Sequence, residues 1–183
     1  MSLVNGAEGI GTGWSTSIPC FNPLTICENI RRKLKGLAFN RMKPWFRGYS
    51  GEITYKEDGS SLTVKGRYEI NLREEQLIIK ELPIQVWTRN YKNFLEELAQ
   101  KDVISDIKEF HKDNNVHFVL TIPDLKKYSN EQIEKDFRLV ANMSCSNFVL
   151  FDKDYKIKRY NSEVDIMEEF FTFRFDMYAK RKA

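Results

Sequence analysis

Groups able to do covalent or metal chemistry are sparse in this chain. Its two histidines, His111 and His117, have no carboxylate or cysteine at a metal-ligand spacing around them, and both read as structural. No Ser/His/Asp or Cys/His grouping can be assembled. The acidic pairs Glu96-Glu97 and Glu168-Glu169 fall on predicted helices and read as solvated faces. Cys20, Cys27 and Cys145 form no CxxC pair and leave an odd number, which argues for a reducing compartment and against a disulfide framework. Cys27 is expected in the core.

The segment that stands out is Leu3–Ser15, where Gly6, Gly9, Gly11 and Gly13 surround a single large apolar residue, Ile10. As a phosphate cradle it fails. A P-loop needs Gly-x4-Gly-Lys-Ser/Thr, and although Gly6 and Gly11 have that separation, Thr12 stands where the lysine must be. A dinucleotide fingerprint needs GxGxxG, and Gly9, Gly11 and Gly13 give GxGxG. Nucleotide binding by the loop is therefore set aside. Glycine permits tight turns and close backbone approach, so such a loop can hold one side chain outward. An isoleucine presented that way is suited to wedge between stacked bases, as apolar side chains do in proteins that kink DNA. Its plainer role would be a local packing anchor.

The surrounding elements follow from patterning. Residues 3–21 are expected as a short strand, the glycine loop and a second extended piece. Asn22 is placed to cap a helix with Pro23 at its first position. Leu24, Cys27, Ile30 and Leu34 then form an apolar stripe, and Gly36 ends the helix. Residues 51–82 alternate as a meander of antiparallel strands, with Asp58-Gly59 as a turn. Thr88 is expected to cap a helix through Leu98, followed by a shorter helix around Ile104–His111. Val116–Ile122 reads as a strand, Asn130–Phe137 as a helix, and Phe148–Phe151 as a buried strand that turns at Asp152–Tyr155 into Ile157–Tyr160. Ser162 and Asp165 resemble a capping box for a final helix. That helix carries more apolar surface, including Phe170, Phe171, Phe173 and Phe175, than one narrow stripe needs. The expected class is α+β: a mostly antiparallel sheet flanked by helices, with an N-terminal glycine-rich loop and a long C-terminal helix.

Charge is informative by its distribution. The net charge is only +3. Between positions 31 and 67, however, Arg31, Arg32, Lys33, Lys35, Arg41, Lys43, Arg47, Lys56, Lys65 and Arg67 face only Glu52, Glu57 and Asp58. A locally basic region on a near-neutral chain suits contact with a phosphate backbone. Its plainer reading is a solvated face plus a helix C-terminus that favours cations. No stretch has the length of a membrane-spanning helix and no signal-peptide pattern is present. Met1-Ser2 reads as a leader, and Lys182-Ala183 falls inside a helix, so a piece of a longer polypeptide is expected.

Leu3–Ser15 also resembles the glycine-rich segment in the breakage-reunion core of eukaryotic type IIA DNA topoisomerases. Blocks similar to that family follow in its order. These are Ile18-Pro19, Asn22-Pro23, Asn29-Ile30-Arg31-Arg32, Pro44-Trp45-Phe46-Arg47-Gly48, Glu81-Leu82-Pro83, Trp87-Thr88 and Val116-His117-Phe118. Asn147–Asp152, Ile157-Lys158-Arg159-Tyr160 and Glu168-Glu169-Phe170-Phe171 complete the series. Trp14-Ser15 and the Pro44–Gly48 block look eukaryotic rather than like bacterial gyrase.

The resemblance implies a tower region. Residues 1–21 would be the DNA-wedge loop at the edge of the winged-helix region, 22–161 the tower domain, and 162–183 the start of a coiled-coil helix. It implies that Ile10, with Gly9, Gly11 and Thr12, contacts and bends the gate segment of double-stranded DNA. Arg31, Arg32, Lys33, Lys35 and Arg47 are then candidate phosphate contacts. The parent would be a nuclear homodimer that passes one duplex through a transient tyrosine-linked break, using ATP and Mg2+. The catalytic tyrosine, the Mg2+-binding domain and the ATPase would lie outside this piece, which would hold no cofactor, no metal and no catalytic residue and be inactive alone. Two rival readings are a free-standing architectural DNA-binding protein and a protein-interaction module built on the apolar final helix.

Overall fold

A single helical turn, α1 (Ser2–Asn5), stands at the N-terminus where an extended strand was expected. The amides of Val4 and Asn5 both bond the Met1 carbonyl, Leu3 is buried, and Gly6 at φ 71° stops the turn. A β-carbon on Gly6 would lie 2.8 Å from the Ile18 carbonyl oxygen, so both its conformation and its surroundings call for glycine. The chain then forms the hairpin β1 (Ala7–Ile10) and β2 (Ser15–Ile18). The computed structural model describes residues 1–56, 61–113 and 115–182.

Helix α2 (Pro23–Leu34) begins as the sequence implies: the Asn22 side chain accepts from Leu24 N at 2.9 Å, with Pro23 at the first position. It ends at Gly36, φ 79°, where Gly36 N bonds Lys33 O and Leu37 N bonds Arg32 O. The stripe does not face a core. Leu24 is 71% exposed, Leu34 59%, and Cys27 is exposed as well. The buried position is Asn29, whose side chain donates to Asn40 O and accepts from Asn40 N. Satisfied hydrogen bonding at a polar residue thus outranks apolar spacing in orienting the helix.

Next come β3 (Glu52–Tyr55), β4 (Ser61–Lys65), β5 (Arg67–Asn71) and β6 (Gln76–Glu81). The Asp58-Gly59 turn lies outside the described residues. Helix α3 (Thr88–Gln100) has Trp87, not Thr88, at its cap position, with no side-chain cap bond. Residues expected as a helix around Ile104–His111 instead contain strand β7 (Asp106–Glu109), because β8 (Phe118–Thr121) offers Leu120 directly opposite Ile107. Tertiary pairing overrides a local pattern too short to decide between the two. Helix α4 (Asn130–Asp136) carries a complete capping box between Ser129 and Gln132. Strands β9 (Val140–Ser144), β10 (Phe148–Phe151) and β11 (Ile157–Tyr160) precede the final helix α5 (Glu163–Lys182). Phe148 is buried, but Phe151 at the far end of β10 is 67% exposed.

The residues expected as one meander divide between sheets of order β3-β4-β9 and β5-β6-β8-β7, while β1-β2 and β10-β11 are two-stranded. The break falls at Gly66, whose amide bonds Leu139 O and where a β-carbon would come 2.4 Å from Glu81 O. The class is α+β with antiparallel pairing.

Two compact units emerge. One contains Tyr49–Thr54 and Thr63–Met143. Its core joins Leu77 and Ile79 of β6, Phe118 and Leu120 of β8, Tyr91 and Leu95 of α3, and Ile133 and Phe137. Each such side chain contributes roughly 1.5–3 kcal/mol by burial. The Tyr91 hydroxyl donates to Phe137 O at 2.6 Å, which lets a phenol sit in that interior. The other unit contains Met1–Gly48, Tyr55–Leu62 and Ser144–Ala183. Ile18, Phe21, Met42, Phe148, Tyr160 and Met167 are its buried apolar residues. It carries every position singled out above for contact with a ligand.

Candidate nucleic-acid interface

The glycine-rich segment is a hairpin tip. Ile10 ends β1 directly opposite Ser15, and Gly11 N bonds Trp14 O at 2.8 Å to close the four-residue connection. Gly13 turns the connection at φ 81°. Ile10 is 96% exposed, and a β-carbon added to Gly9 or Gly13 would meet nothing within 4 Å. Thr12 and Trp14 are exposed beside it. Strand alternation explains the outward aim. Ala7 opposes Ile18, which is buried, so Glu8 and Ile10 project from the other face with Ser17 and Ser15.

A two-stranded hairpin is marginal alone in water, and this one is fastened to β10. Ser17 N donates to Asn147 O at 2.9 Å, the Asn147 side chain donates to Ser15 Oγ at 2.8 Å, and Val149 N donates to Thr16 Oγ1 at 3.3 Å. The base is held too. Phe21, fully buried, donates its amide to Leu3 O at 2.7 Å, and Trp45 N donates to Cys20 O at 2.8 Å. An exposed isoleucine thus rides on a stem with several fixed attachments.

The predicted phosphate contacts fall into two groups. Arg31 and Lys35 on α2, and Arg47 in the turn before Gly48, are exposed. Among the described residues Arg47 has no ion pair and no cation–π contact. Lys33 is half-buried, paired with Glu168 at 2.6 Å and set over the Phe39 ring. Arg32 is half-buried with its Nε lacking a hydrogen-bond partner. Gly9, Gly11, Thr12 and Ile10 are brought together at the tip.

Glu168 and Glu169, expected as a solvated face, are both engaged. Glu169 binds Lys158 at 2.5 Å and accepts from Lys153 N. The Lys158 hydrogen bond holds the Glu169 carboxyl below its ordinary range against the effect of burial, with Tyr160 assisting. Burial, then the bond to Glu169, pushes the Tyr160 phenol up to about 12. His111 Nδ1 accepts from His117 N at 2.9 Å, which gives both histidines a structural role.

Sequence reasoning missed Glu163, a carboxylate only 1% exposed at the start of α5. Its Oε1 accepts from Met42 N at 2.9 Å and lies 4.0 Å from Arg41 Nε, while the Tyr55 hydroxyl donates to Met42 O at 2.7 Å. The nearby Cys145 thiol is pushed up to about 11 by burial and by the Glu163 charge, with Arg41 opposing. No periodicity signals a buried acid whose partner amide lies 121 residues away. Among the described residues no group of three or more His, Cys, Asp or Glu side chains is placed to hold a metal ion, and no helix is long and apolar enough to cross a membrane.

Comparison with known proteins places these features. The sequence model of the DNA gyrase/topoisomerase IV family, in its A-type branch, matches residues 1–183. A DNA topoisomerase 2 of Arabidopsis thaliana is 43% identical over 98% of this chain, and one of Saccharomyces cerevisiae is 41% identical over 100%. The chain spans 13% of the length of each. The crystal structure of the Plasmodium falciparum topoisomerase II DNA-binding, cleavage and re-ligation domain superposes with a TM-score of 0.91 and 35% identity, over 99% of this chain and 25% of that one.

Proposed function

The chain belongs to the A-type branch of the DNA gyrase/topoisomerase IV family, on its eukaryotic DNA topoisomerase 2 side, and we propose that it binds and bends a double-stranded DNA segment. The observation that carries this reading is Ile10: a large apolar side chain almost wholly exposed, at the tip of a hairpin pinned to its unit at several points. Such a residue gains nothing from the fold and is suited to enter a base step, where unstacking is offset by the wider contact that a kink allows. Gly9, Gly11 and Thr12 keep the tip slim enough to approach the groove.

Arg31, Arg32, Lys33, Lys35 and Arg47 are the phosphate contacts of this reading, and they position the duplex without reading its sequence. The exposed Arg31, Lys35 and Arg47 are free to do so as they stand, whereas Lys33 must share Glu168. Smoothly bending 20–30 base pairs costs on the order of 1–6 kcal/mol, so contacts on both arms are needed.

Within the parent, we assign residues 1–21 to the wedge loop, 22–161 to the tower and 162–183 to the beginning of a coiled coil. The parent would be a nuclear, ATP-hydrolysing homodimer that passes one duplex through a tyrosine-linked break in another. Its Mg2+ site, ATPase and tyrosine are placed in the rest of its length, and no step is routed through this chain's own carboxylates.

The test is a short duplex with fluorophores at its two ends, titrated with the chain and with Ile10→Ala. Wild type should shorten the end-to-end distance and the variant should bind without shortening it. Equal shortening by both would remove the wedge. Incubated with supercoiled plasmid, ATP and Mg2+, the chain alone should leave the topology unchanged.

A further inference from the structure

Arg159 lies outside the basic region read from the sequence, yet the hairpin's attachments bring it to the face that presents Ile10. On β11, Tyr160 is buried and Lys158 reaches Glu169 of α5, so one face of the strand is turned toward that helix. By the two-residue alternation Arg159 projects from the opposite face, paired in register with Val149 of β10. Asn147 precedes β10 on this same alternation, opposite to the buried Phe148. The Asn147 side chain meets Ser15 Oγ at 2.8 Å, and Ser15 shares its face of the hairpin with Ile10. The path from Ile10 through Ser15 and Asn147 to Arg159 therefore stays on one side of contiguous β structure.

The guanidinium is also held. Arg159 Nη2 donates to Ser146 O at 3.2 Å, one residue before Asn147. Its neighbours in charge are occupied: Lys158 by Glu169, Lys33 by Glu168, Arg41 by Glu163 and the Tyr55 ring. Arg159 has no carboxylate partner among the described residues and is exposed. One donor spent on a carbonyl fixes the side chain, and the remaining donors of its planar fork stay available in a geometry that matches phosphate. The one acid on this face of the hairpin is Glu8, two residues back from the tip, which would leave a backbone phosphate better accommodated over β10–β11 than over the base of β1.

We propose that Arg159 is a phosphate-contacting residue for the DNA that Ile10 enters, with Asn147 as the positioning residue that sets the distance between the two. The inference rests on the DNA-bending reading above and adds to it a contact on a different element from the basic helix α2. A wedge opens a step efficiently only when the flanking backbone is held, and Arg159 supplies that hold from the neighbouring ribbon.

The experiment is duplex binding by the chain as a function of salt, for wild type, Arg159→Gln, Arg159→Lys and Arg31→Gln, with bending followed on the same samples. Loss of one phosphate contact makes the slope of log Kobs against log salt shallower by about 0.9. Arg159→Gln should show that change, and Arg159→Lys should restore the slope. A wild-type slope in Arg159→Gln, with Arg31→Gln still reduced, would overturn the assignment and leave DNA bending by Ile10 standing. A slope that Arg159→Lys fails to restore, accompanied by a lower melting temperature in both variants, would make Arg159 a hairpin brace and also overturn it. Absence of any duplex binding by wild type at low salt would overturn the DNA-bending reading itself, and this inference with it.

Discussion

The side-chain amide of Asn147 donates to Ser15 Oγ at 2.8 Å, across 132 residues of sequence. It joins a residue just before β10 to the position directly opposite Ile10. Asn147→Ala removes this bond but keeps the Asn147 carbonyl that accepts from Ser17 N. A net loss of about 1 kcal/mol is expected from one such bond. The expected signature is local: faster amide hydrogen exchange at Ile10 and Thr16, with the slowest amides of the β5-β6-β8-β7 unit unchanged. Uniformly accelerated exchange would show that the bond supports global stability instead.

Glu163 answers a buried backbone amide. Glu163→Ala leaves Met42 N without its acceptor and should cost about 1–3 kcal/mol, an unsatisfied buried donor being more expensive than a lost bond. Glu163→Gln keeps an acceptor oxygen and should recover most of the loss. Chemical denaturation of the three proteins measures this, and equal stability of the Ala and Gln forms would show that the charge matters rather than the bond.

The Glu169 carboxyl is held below its ordinary value by Lys158, so its folded-state pKa is lower than its unfolded one. The stability it supplies is present above the unfolded value of about 4.3 and is lost as pH falls through the depressed folded value. Melting temperatures of wild type and Glu169→Gln should therefore differ at pH 7 and converge toward pH 3. A difference that persists at pH 3 would assign the effect to packing.

The cysteines should react in order of exposure. Cys27 is exposed on α2, whereas Cys145 is buried with its thiol raised to about 11. A thiol reagent at pH 8 should modify Cys27 first, and Cys27→Ser should remove that fast phase. Cys145 should stay unmodified until the protein unfolds, because thiolate is the reactive form. Modification of Cys145 in the folded protein at the rate of Cys27 would contradict this.

Gly36 closes helix α2 at φ 79° with no neighbour within 4 Å of an added β-carbon. Gly36→Ala should therefore cost about 1–2 kcal/mol from backbone strain alone. A thermal or denaturant melt reads it, and a neutral substitution would mean that the turn relaxes.

Much of the fold was legible because its signals are local. Asn22-Pro23 and Gly36 bracket α2 by capping chemistry that acts within one turn, and the alternation at Val116–Ile122 marks β8. What was missed depends on partners distant in sequence. Asp106–Glu109 becomes a strand only because β8 is opposite it, and β9 draws its definition from β4. The apolar spacing of Leu24, Cys27 and Leu34 misled because Asn29 finds both its partners on Asn40. At the candidate interface, the isolation of Ile10 among glycines was visible. The tie through Asn147, the alignment of Arg159 and the engagement of Lys33 by Glu168 were not, since they couple residues more than a hundred positions apart or lie on alternate faces of paired strands.

The wide sequence separation of the hairpin from its anchor also has a consequence during synthesis. Ser15 leaves the ribosome 132 residues before Asn147 does, and at ~5–20 residues per second that interval is on the order of ten seconds. For that time the nascent hairpin has its own cross-strand bonds and no β10 to lie against. The wedge is thus switched on by translation reaching the far partner, and a chain interrupted before Asn147 carries Ile10 on a loose ribbon rather than a tool.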